Sequence, residues 1–217
     1  LRPSRRAPRP HPLPAGLMAD GGKAPRFRRL GREARRASLV EAGIRCLARG
    51  GLPAFTVDRV CREAGASRGL VAHHFGSMEG LLAAVYVAMY DRMLGVAAPA
   101  GDPEPGLDAI LDAVLSDALV DEGTLHAWLA LWGAVAGSRP LREAHRRHYD
   151  HYAARLRAAL SREAARRGRA VDEEALARSL IALVDGLWLQ RCLDPARLSG
   201  AEARALCRAL LAASLGP

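Results

Sequence analysis

Apolar residues recur at helical spacing along most of the chain, and no stretch alternates apolar and polar residues as a half-buried strand does. In the first segment, Val40, Ile44 and Leu47 share one face of a helix that begins near Arg32, and the Gly50-Gly51 pair is expected to close it. After a break rich in Ala, Pro and Gly, longer amphipathic patterns follow at residues 107–120, 124–137, 140–167, 173–192 and 200–215. The pattern predicts an all-α fold of about nine helices.

Capping residues divide the region before the break into short helices. Thr56 is predicted to cap one short helix, and Gly65 to end it in a left-handed conformation. Ser67 is predicted to cap the next helix, residues 68–75, which is barely two turns long, and Ser77 to cap a longer one that runs to about residue 94. Two short helices joined by a glycine-containing turn and held under longer helices predict a helix-turn-helix head below a larger helical body.

The positive charge is concentrated at the N-terminal end. Residues 1–80 contain 16 basic and 6 acidic side chains, whereas residues 81–217 contain 16 and 17, within a chain of net charge +9. We therefore predict three parts: a disordered, Pro-rich basic arm at residues 1–31, a helix-turn-helix head at residues 32–95, and a larger helical body of nearly neutral charge at residues 106–217. Double-stranded DNA is the first candidate partner for the basic part and an anionic membrane surface the second, beside a basic tail with no partner.

Several classes of site are not indicated by the sequence. The four cysteines are scattered without C-x-x-C spacing, so neither a zinc site nor a disulfide framework is expected. His145, His148 and His151 recur every three residues, a spacing that drifts around a helix, and they are expected to form a solvated polar face and not a metal site. No uncharged run is long enough to span a membrane, and the N-terminus lacks the apolar region of a signal peptide, which favours a cytoplasmic protein.

The stretch GASRG, residues 65–69, matches the G-x-S-x-G pattern of serine hydrolases. A nucleophile elbow needs a buried strand before the serine and a long helix after it, whereas a polar amphipathic helix precedes Ser67. The DNA-binding interpretation explains the same residues better. Gly65 reverses the chain, the amides at Ser67 can face a phosphate, Arg68 can reach a phosphate or a guanine edge, and Gly69 permits close approach to the duplex. We therefore predict no catalytic residue and no cofactor.

The head resembles the DNA-binding domain of the TetR family of repressors. Its pattern is matched in order by Thr56, Ala64-Gly65, Ser67, Gly69, His74-Phe75, Glu79 and Leu81. The sequence departs from it at Ala72, where most members have a phosphate-contacting tyrosine, and at Met78, where most have a lysine. With Phe75 turned inward, the residues expected to face DNA are Arg32, Thr56, Ser67, Arg68, Gly69, Leu70, Val71, His73 and His74.

The body is similar, over residues 128–141 and 182–193, to the C-terminal domain of the choline-responsive repressors of glycine betaine synthesis. That group often lacks the tyrosine that Ala72 replaces. All three tryptophans lie in these two segments. Tryptophan faces and a carboxylate suit a quaternary ammonium ligand, although aromatic residues at helical spacing are more often core. We expect a small-molecule effector, cationic or amphipathic, to bind at Trp128, Trp132, Tyr152, Asp185 and Trp188.

The resemblance implies a homodimer formed through the last two helices, residues 173–192 and 200–215. The stripe of Leu176, Leu180, Leu183 and Leu187 is expected to face the partner. The sequence as a whole predicts a ligand-responsive transcriptional repressor released from a palindromic operator. Two other functions stay open at this stage: a dimeric small-molecule-binding adaptor with weakened DNA affinity, and a helical enzyme, which is disfavoured because no acid and base are paired.

Overall fold

The computed structural model describes residues 31–96, 104–117 and 121–216. These residues form nine α-helices without a β-strand, so the predicted all-α fold is confirmed. The basic arm lies outside the described residues except for Gly31, and so do the last three positions of the helix predicted at residues 107–120. The helices are α1 Arg32–Ala54, α2 Val57–Ala64, α3 Gly69–Phe75, α4 Met78–Val96, α5 Leu107–Val114, α6 Glu122–Val135, α7 Arg139–Arg166, α8 Glu173–Leu193 and α9 Gly200–Leu215.

Helices α1 to α4 form the head. The first helix was expected to end at Gly50-Gly51. The structure has a break in the helical backbone there, with Gly51 at φ +59°, and a short helical segment then continues to Ala54. Thr56 caps α2 as predicted by accepting a hydrogen bond from the backbone N–H of Arg59, and Gly65 ends α2 in the left-handed conformation.

The turn into α3 differs from the prediction in one respect. Ser67 does not cap α3, because the helix begins after Arg68, whose backbone is already helical and whose side chain makes no capping hydrogen bond. Ser77 does act as a cap, since its Oγ accepts a hydrogen bond from the N–H of Gly80 at 3.0 Å. The turn between α2 and α3 is therefore held by backbone hydrogen bonds, among them Ala66 N–H to the Cys61 carbonyl at 2.8 Å.

Helices α5 to α9 form the body, and each overlaps the segment predicted for it. Side-chain caps start four of them: Asp121 on α6, Ser138 on α7, Asp172 on α8 and Ser199 on α9, the last with a capping box. Within the described residues, no helix is long and apolar enough to cross a membrane.

The leucine stripe on α8 does not face a partner. Leu176, Leu180 and Leu187 are buried within the chain's own core, and Leu183 is half-buried. The prediction was wrong because α8 is apolar around most of its circumference, so the periodicity alone does not identify which face turns inward. The face of α8 that remains exposed includes Ala182, Leu189 and Leu193.

Head and body share an extensive interface. Helix α1 packs along α6, and α4 packs along α7. Leu39 and Tyr86 of the head lie in the same cluster of buried residues as Trp128 and Leu156 of the body. Helices α6 and α7 of the body are therefore in direct contact with the head helices α1 and α4.

Candidate DNA-binding face and effector cavity

The residues predicted to contact DNA lie on or beside α3, and all but one of them are exposed or half-buried. Ser67, Arg68, Gly69 and His73 are exposed, as are Thr56 at the start of α2 and Arg32 at the start of α1; Leu70 and His74 are half-buried. Val71 is only 3% exposed and packs in the core of the head, so its assignment to the DNA-facing surface was wrong. A helix of seven residues must use some positions to hold itself on the head, and Val71 is one of them.

Arg68 is the most prominent cation on this face. Its Nε lies 2.6 Å from Asp58 Oδ1 on α2, and the Arg68 side chain remains 74% exposed. An exposed ion pair of this kind contributes little to stability. It does restrict the guanidinium to one side of α3, next to the start of α2.

The C-terminal end of α3 carries two histidines and an aromatic anchor. The His73 and His74 rings meet edge to face with centroids 5.0 Å apart. Crowding by protein atoms and the neighbouring positive charges of His73 and Arg32 lower the pKa of His74. Phe75 is half-buried, and the Arg36 guanidinium lies 5.1 Å from its ring centroid.

Both departures from the TetR pattern are visible in the head. Ala72 is exposed on α3 between the buried Val71 and the exposed His73, so a phosphate-contacting side chain is absent from the exposed surface at that position. Met78 is half-buried and packs against the core of the head. The Met78 side chain therefore helps to hold α4 in place. A lysine at this position could make such contacts only with its aliphatic stem.

The five residues predicted to bind an effector line a single cavity in the body. We call it the aromatic cavity, and its volume is about 20 Å³. That is room for about one water molecule, so a larger ligand enters only if lining side chains move. Its walls come from α4 to α8: Tyr90, Met93, Val114, Trp128, Trp132, Tyr149, Tyr152, Ile181, Val184, Asp185 and Trp188.

Trp128 stands at the centre of the aromatic wall. Its ring centroid lies 4.9 Å from that of Tyr90, 6.1 Å from Trp132 and 6.2 Å from Trp188. Trp132 is half-buried, whereas Trp188 is buried and donates its indole N–H to the Val114 carbonyl at 3.0 Å. Trp188 is thus fixed in place, and Trp132 is the tryptophan with the most freedom to move.

Two polar groups face this aromatic wall. Asp185 lies at the edge of the cavity, where its side chain keeps an exposed surface while the surrounding protein raises the pKa of its carboxyl to about 6. The Tyr152 hydroxyl is buried and has no hydrogen-bond partner among the described residues. Since buried hydroxyls are normally paired, this group marks a place where a water or a ligand is expected to bind.

Comparison with known proteins places the chain in a family. Residues 39–85 match the model of bacterial regulatory proteins of the tetR family, and residues 103–216 match that of the BetI-type transcriptional repressor C-terminal domain. The chain belongs to the TetR family of transcriptional regulators. The resemblance of both halves is thereby confirmed.

Relatives agree with this assignment. The HTH-type transcriptional regulator BetI of Burkholderia ambifaria is 33% identical over 174 residues, covering 75% of this chain and 84% of that protein. BetI 2 of Chromohalobacter salexigens is 33% identical over 183 residues, covering 82% and 86%. A crystal structure of a transcriptional regulator from Pseudomonas aeruginosa PAO1 is 36% identical and superimposes with a TM-score of 0.72 over 85% of this chain and 92% of that chain.

The protein is therefore a ligand-responsive, DNA-binding transcriptional regulator and not an enzyme. TetR-family regulators bind DNA, usually as dimers, and respond to small-molecule effectors. The G-x-S-x-G interpretation is excluded by the fold, because α2 and not a strand precedes Ser67.

Sequence reasoning missed a second set of aromatic contacts in this TetR-family chain. His145 of α7 shares a hydrogen bond of 2.6 Å with the Tyr86 hydroxyl of α4, and burial lowers the pKa of His145. The His148 ring lies 5.6 Å from that of Tyr90. The solvated face predicted for the α7 histidines was thus wrong for these two, because α4 packs on this side of α7; His151 is exposed. Across the described residues no His, Cys, Asp and Glu cluster could hold a metal ion.

Proposed function

We propose that the effector of this regulator is a small organic cation, bound in the aromatic cavity. The observation that carries the proposal is the meeting of three tryptophans with the Asp185 carboxylate around one cavity. A cation over an aromatic face gains about 0.5 to 2 kcal/mol per ring, and more where water is excluded. A cation at this carboxylate would also favour its charged form, which the surrounding protein disfavours by raising the pKa of Asp185 to about 6.

The unpaired Tyr152 hydroxyl supports a ligand that offers a hydrogen-bond acceptor or brings a bound water with it. Because the cavity holds about one water as it stands, binding must displace at least one side chain. Trp132 is the candidate, since it is half-buried and lacks the hydrogen bond that fixes Trp188.

For the head, we propose DNA contacts by Arg32, Thr56, Ser67, Arg68, Gly69, Leu70, His73 and His74. Their common location on or next to α3, together with the exposure of most of them, supports this set. Arg68 would read a guanine or hold a phosphate, and the basic arm would neutralise neighbouring phosphates. Binding at successive major grooves about 34 to 36 Å apart would require a palindromic operator.

The protein would act as a cytoplasmic homodimer formed through α8 and α9. Small and apolar residues make up part of the exposed side of these helices, beside charged ones such as Asp185 and Arg208, and they favour close helix packing between subunits. Leu193 is 70% exposed, and Leu189 and Leu206 are also exposed. The remaining exposed members of this surface are Ala182, Ala205, Ala209 and Ala213, and Gly186 is half-buried.

A titration of the full chain with DNA that flanks its own gene tests the proposal. Fluorescence anisotropy should detect specific binding, and tetramethylammonium should weaken it, whereas uncharged tert-butanol of similar shape should not. Asp185→Asn should keep the operator affinity and lose at least tenfold in response to tetramethylammonium. Equal effects of tetramethylammonium and tert-butanol would contradict a cationic effector.

A further inference from the structure

A second cavity, of about 110 Å³, adjoins the aromatic cavity at the junction of head and body. Met93, Trp128 and Trp188 belong to the walls of both cavities, so these three side chains form the partition between them. We call the second one the junction cavity. Its other walls come from the head helices α1 and α4 and from the start of α6: Ile44, Met89, Arg92, Asp121 and Thr124.

The polar groups at the rim of the junction cavity already have partners. Arg92 forms an ion pair with Glu41 of α1. The Asp121 carboxylate accepts hydrogen bonds from the Thr124 backbone N–H at 2.8 Å and from its hydroxyl at 2.9 Å. An ionic ligand would therefore have to compete with existing pairs at this rim.

The rest of the junction cavity is apolar. Ile44, Met89 and Met93 face the two shared indoles, and each of these aliphatic side chains is buried or half-buried. Alkyl groups gain from such a site because they leave water without displacing a polar partner. The chemistry of the walls selects a short hydrocarbon chain.

We propose that the junction cavity binds the alkyl chain of the same effector whose cationic group occupies the aromatic cavity. The inference rests on the cationic effector proposed above and names its class as an amphipathic cation. Met93 connects the two sites: its unbranched thioether adopts several rotamers at little cost, and one rotation removes part of the partition. The volume of 110 Å³ is somewhat below the ~150 Å³ of an engineered cavity that takes benzene, so a chain of about four carbons should fit.

This arrangement places the effector in contact with the DNA-binding head. Ile44 belongs to α1, which packs along α6, and the junction cavity lies between these helices. A chain that fills the cavity interacts with α1 directly, so its affinity depends on the position of the head. Chain length then sets how strongly an effector releases the operator, whereas the ammonium group sets whether it binds.

The test is a series of alkyltrimethylammonium ions, from methyl to octyl, titrated into the full chain with tryptophan fluorescence as the signal. Each carbon that enters the cavity should tighten binding about three- to fourfold, levelling off near butyl. Ile44→Phe fills the junction cavity and should flatten the series beyond ethyl while leaving the Kd of tetramethylammonium unchanged. Leu210→Phe, on a half-buried position of α9 outside both cavities, is the matched control.

Ile44→Ala provides a variant with the opposite effect, should the larger side chain disturb the head. It enlarges the junction cavity, so the rise in affinity should extend to longer chains than in the parent. A rise with chain length that neither Ile44 variant changes, or no rise at all in a protein that binds tetramethylammonium, overturns the junction-cavity proposal. Failure of every ammonium ion to bind overturns the cationic effector itself.

Discussion

Replacing Gly80 by alanine tests how closely α3 is fastened to α4. A Cβ added at Gly80 would lie 2.1 Å from the Phe75 carbonyl oxygen at the end of α3, where ordinary van der Waals contact begins at 3.4 Å. The atom it meets is backbone, so no side-chain rotation relieves the overlap. The turn at Gly76 between α3 and α4 must shift instead.

The net effect follows from two opposing contributions. Overpacking of this kind costs about 1 to 3 kcal/mol, and the helix gains up to about 1 kcal/mol when alanine replaces glycine. We expect the free energy of unfolding to fall by about 1 kcal/mol, which lowers Tm by about 2 to 4 °C in a chain of this size. We also expect operator affinity to fall, and by more than the loss of stability, because the folded variant relieves the overlap by moving α3 out of position.

Thermal unfolding followed by circular dichroism gives the change in Tm, and anisotropy with an operator fragment gives the affinity. Gly95→Ala is the control on the same helix, since nothing lies within 4 Å of its added Cβ, and it should leave both quantities unchanged or raise Tm. Gly69→Ala also meets nothing in the free protein and should lower DNA affinity alone. If Gly80→Ala raised Tm as Gly95→Ala does, the close approach of α4 to the α3 carbonyl would be refuted.

Four further predictions concern charge. Asp185 should make cation binding depend on pH, and the affinity for tetramethylammonium should be lost as the pH falls through about 6 and the carboxyl is protonated. Without ligand, the free energy of unfolding should fall as the pH rises from about 4 to about 6, because the folded state holds this proton more tightly than the unfolded chain. Arg68→Ala should weaken operator binding by about 1 to 3 kcal/mol in a gel-shift titration while sedimentation still reports a dimer. Asp58→Asn removes the ion pair that holds the Arg68 guanidinium and should lower discrimination between operator and random DNA, whereas Glu63→Gln on the same helix should not. Operator affinity should decline steeply with salt, and a flat response would argue against phosphate contacts by the head.

Local signals in the sequence predicted the helices and several of their ends. Thr56, Gly65 and Ser199 act through hydrogen bonds or backbone angles within a few residues, so their roles can be read without knowledge of the fold. The tryptophan cavity was also predictable, for a different reason. All three tryptophans lie in the two segments that resemble the C-terminal domain of the choline-responsive repressors, and the structure brings them around one cavity.

The wrong predictions share a physical cause, which is that a helix can be apolar on more than one side. Val71 was placed on the DNA face because α3 is too short for its periodicity to define an inner side. Packing against the rest of the head determines which side of α3 turns inward. Leu180 of α8 was assigned to the dimer interface for a similar reason, although it is buried in the core of its own subunit. Periodicity identifies an apolar stripe, and only tertiary contacts identify what covers it.

The cavity residues that sequence reasoning did not find are also the ones that join the two halves of the protein. Tyr90 and Met93 line the aromatic cavity from α4, and Tyr86, one turn before Tyr90, meets His145 of α7. No signal in the sequence assigned these residues to the body, because α4 belongs by its pattern to the head. A ligand that displaces Tyr90 or Met93 therefore acts on the helix that follows α3 in the chain, with only Gly76 and Ser77 between the two. Effector binding at α4 would therefore be coupled to the placement of α3, and by linkage operator binding would change the affinity for the effector by the same factor.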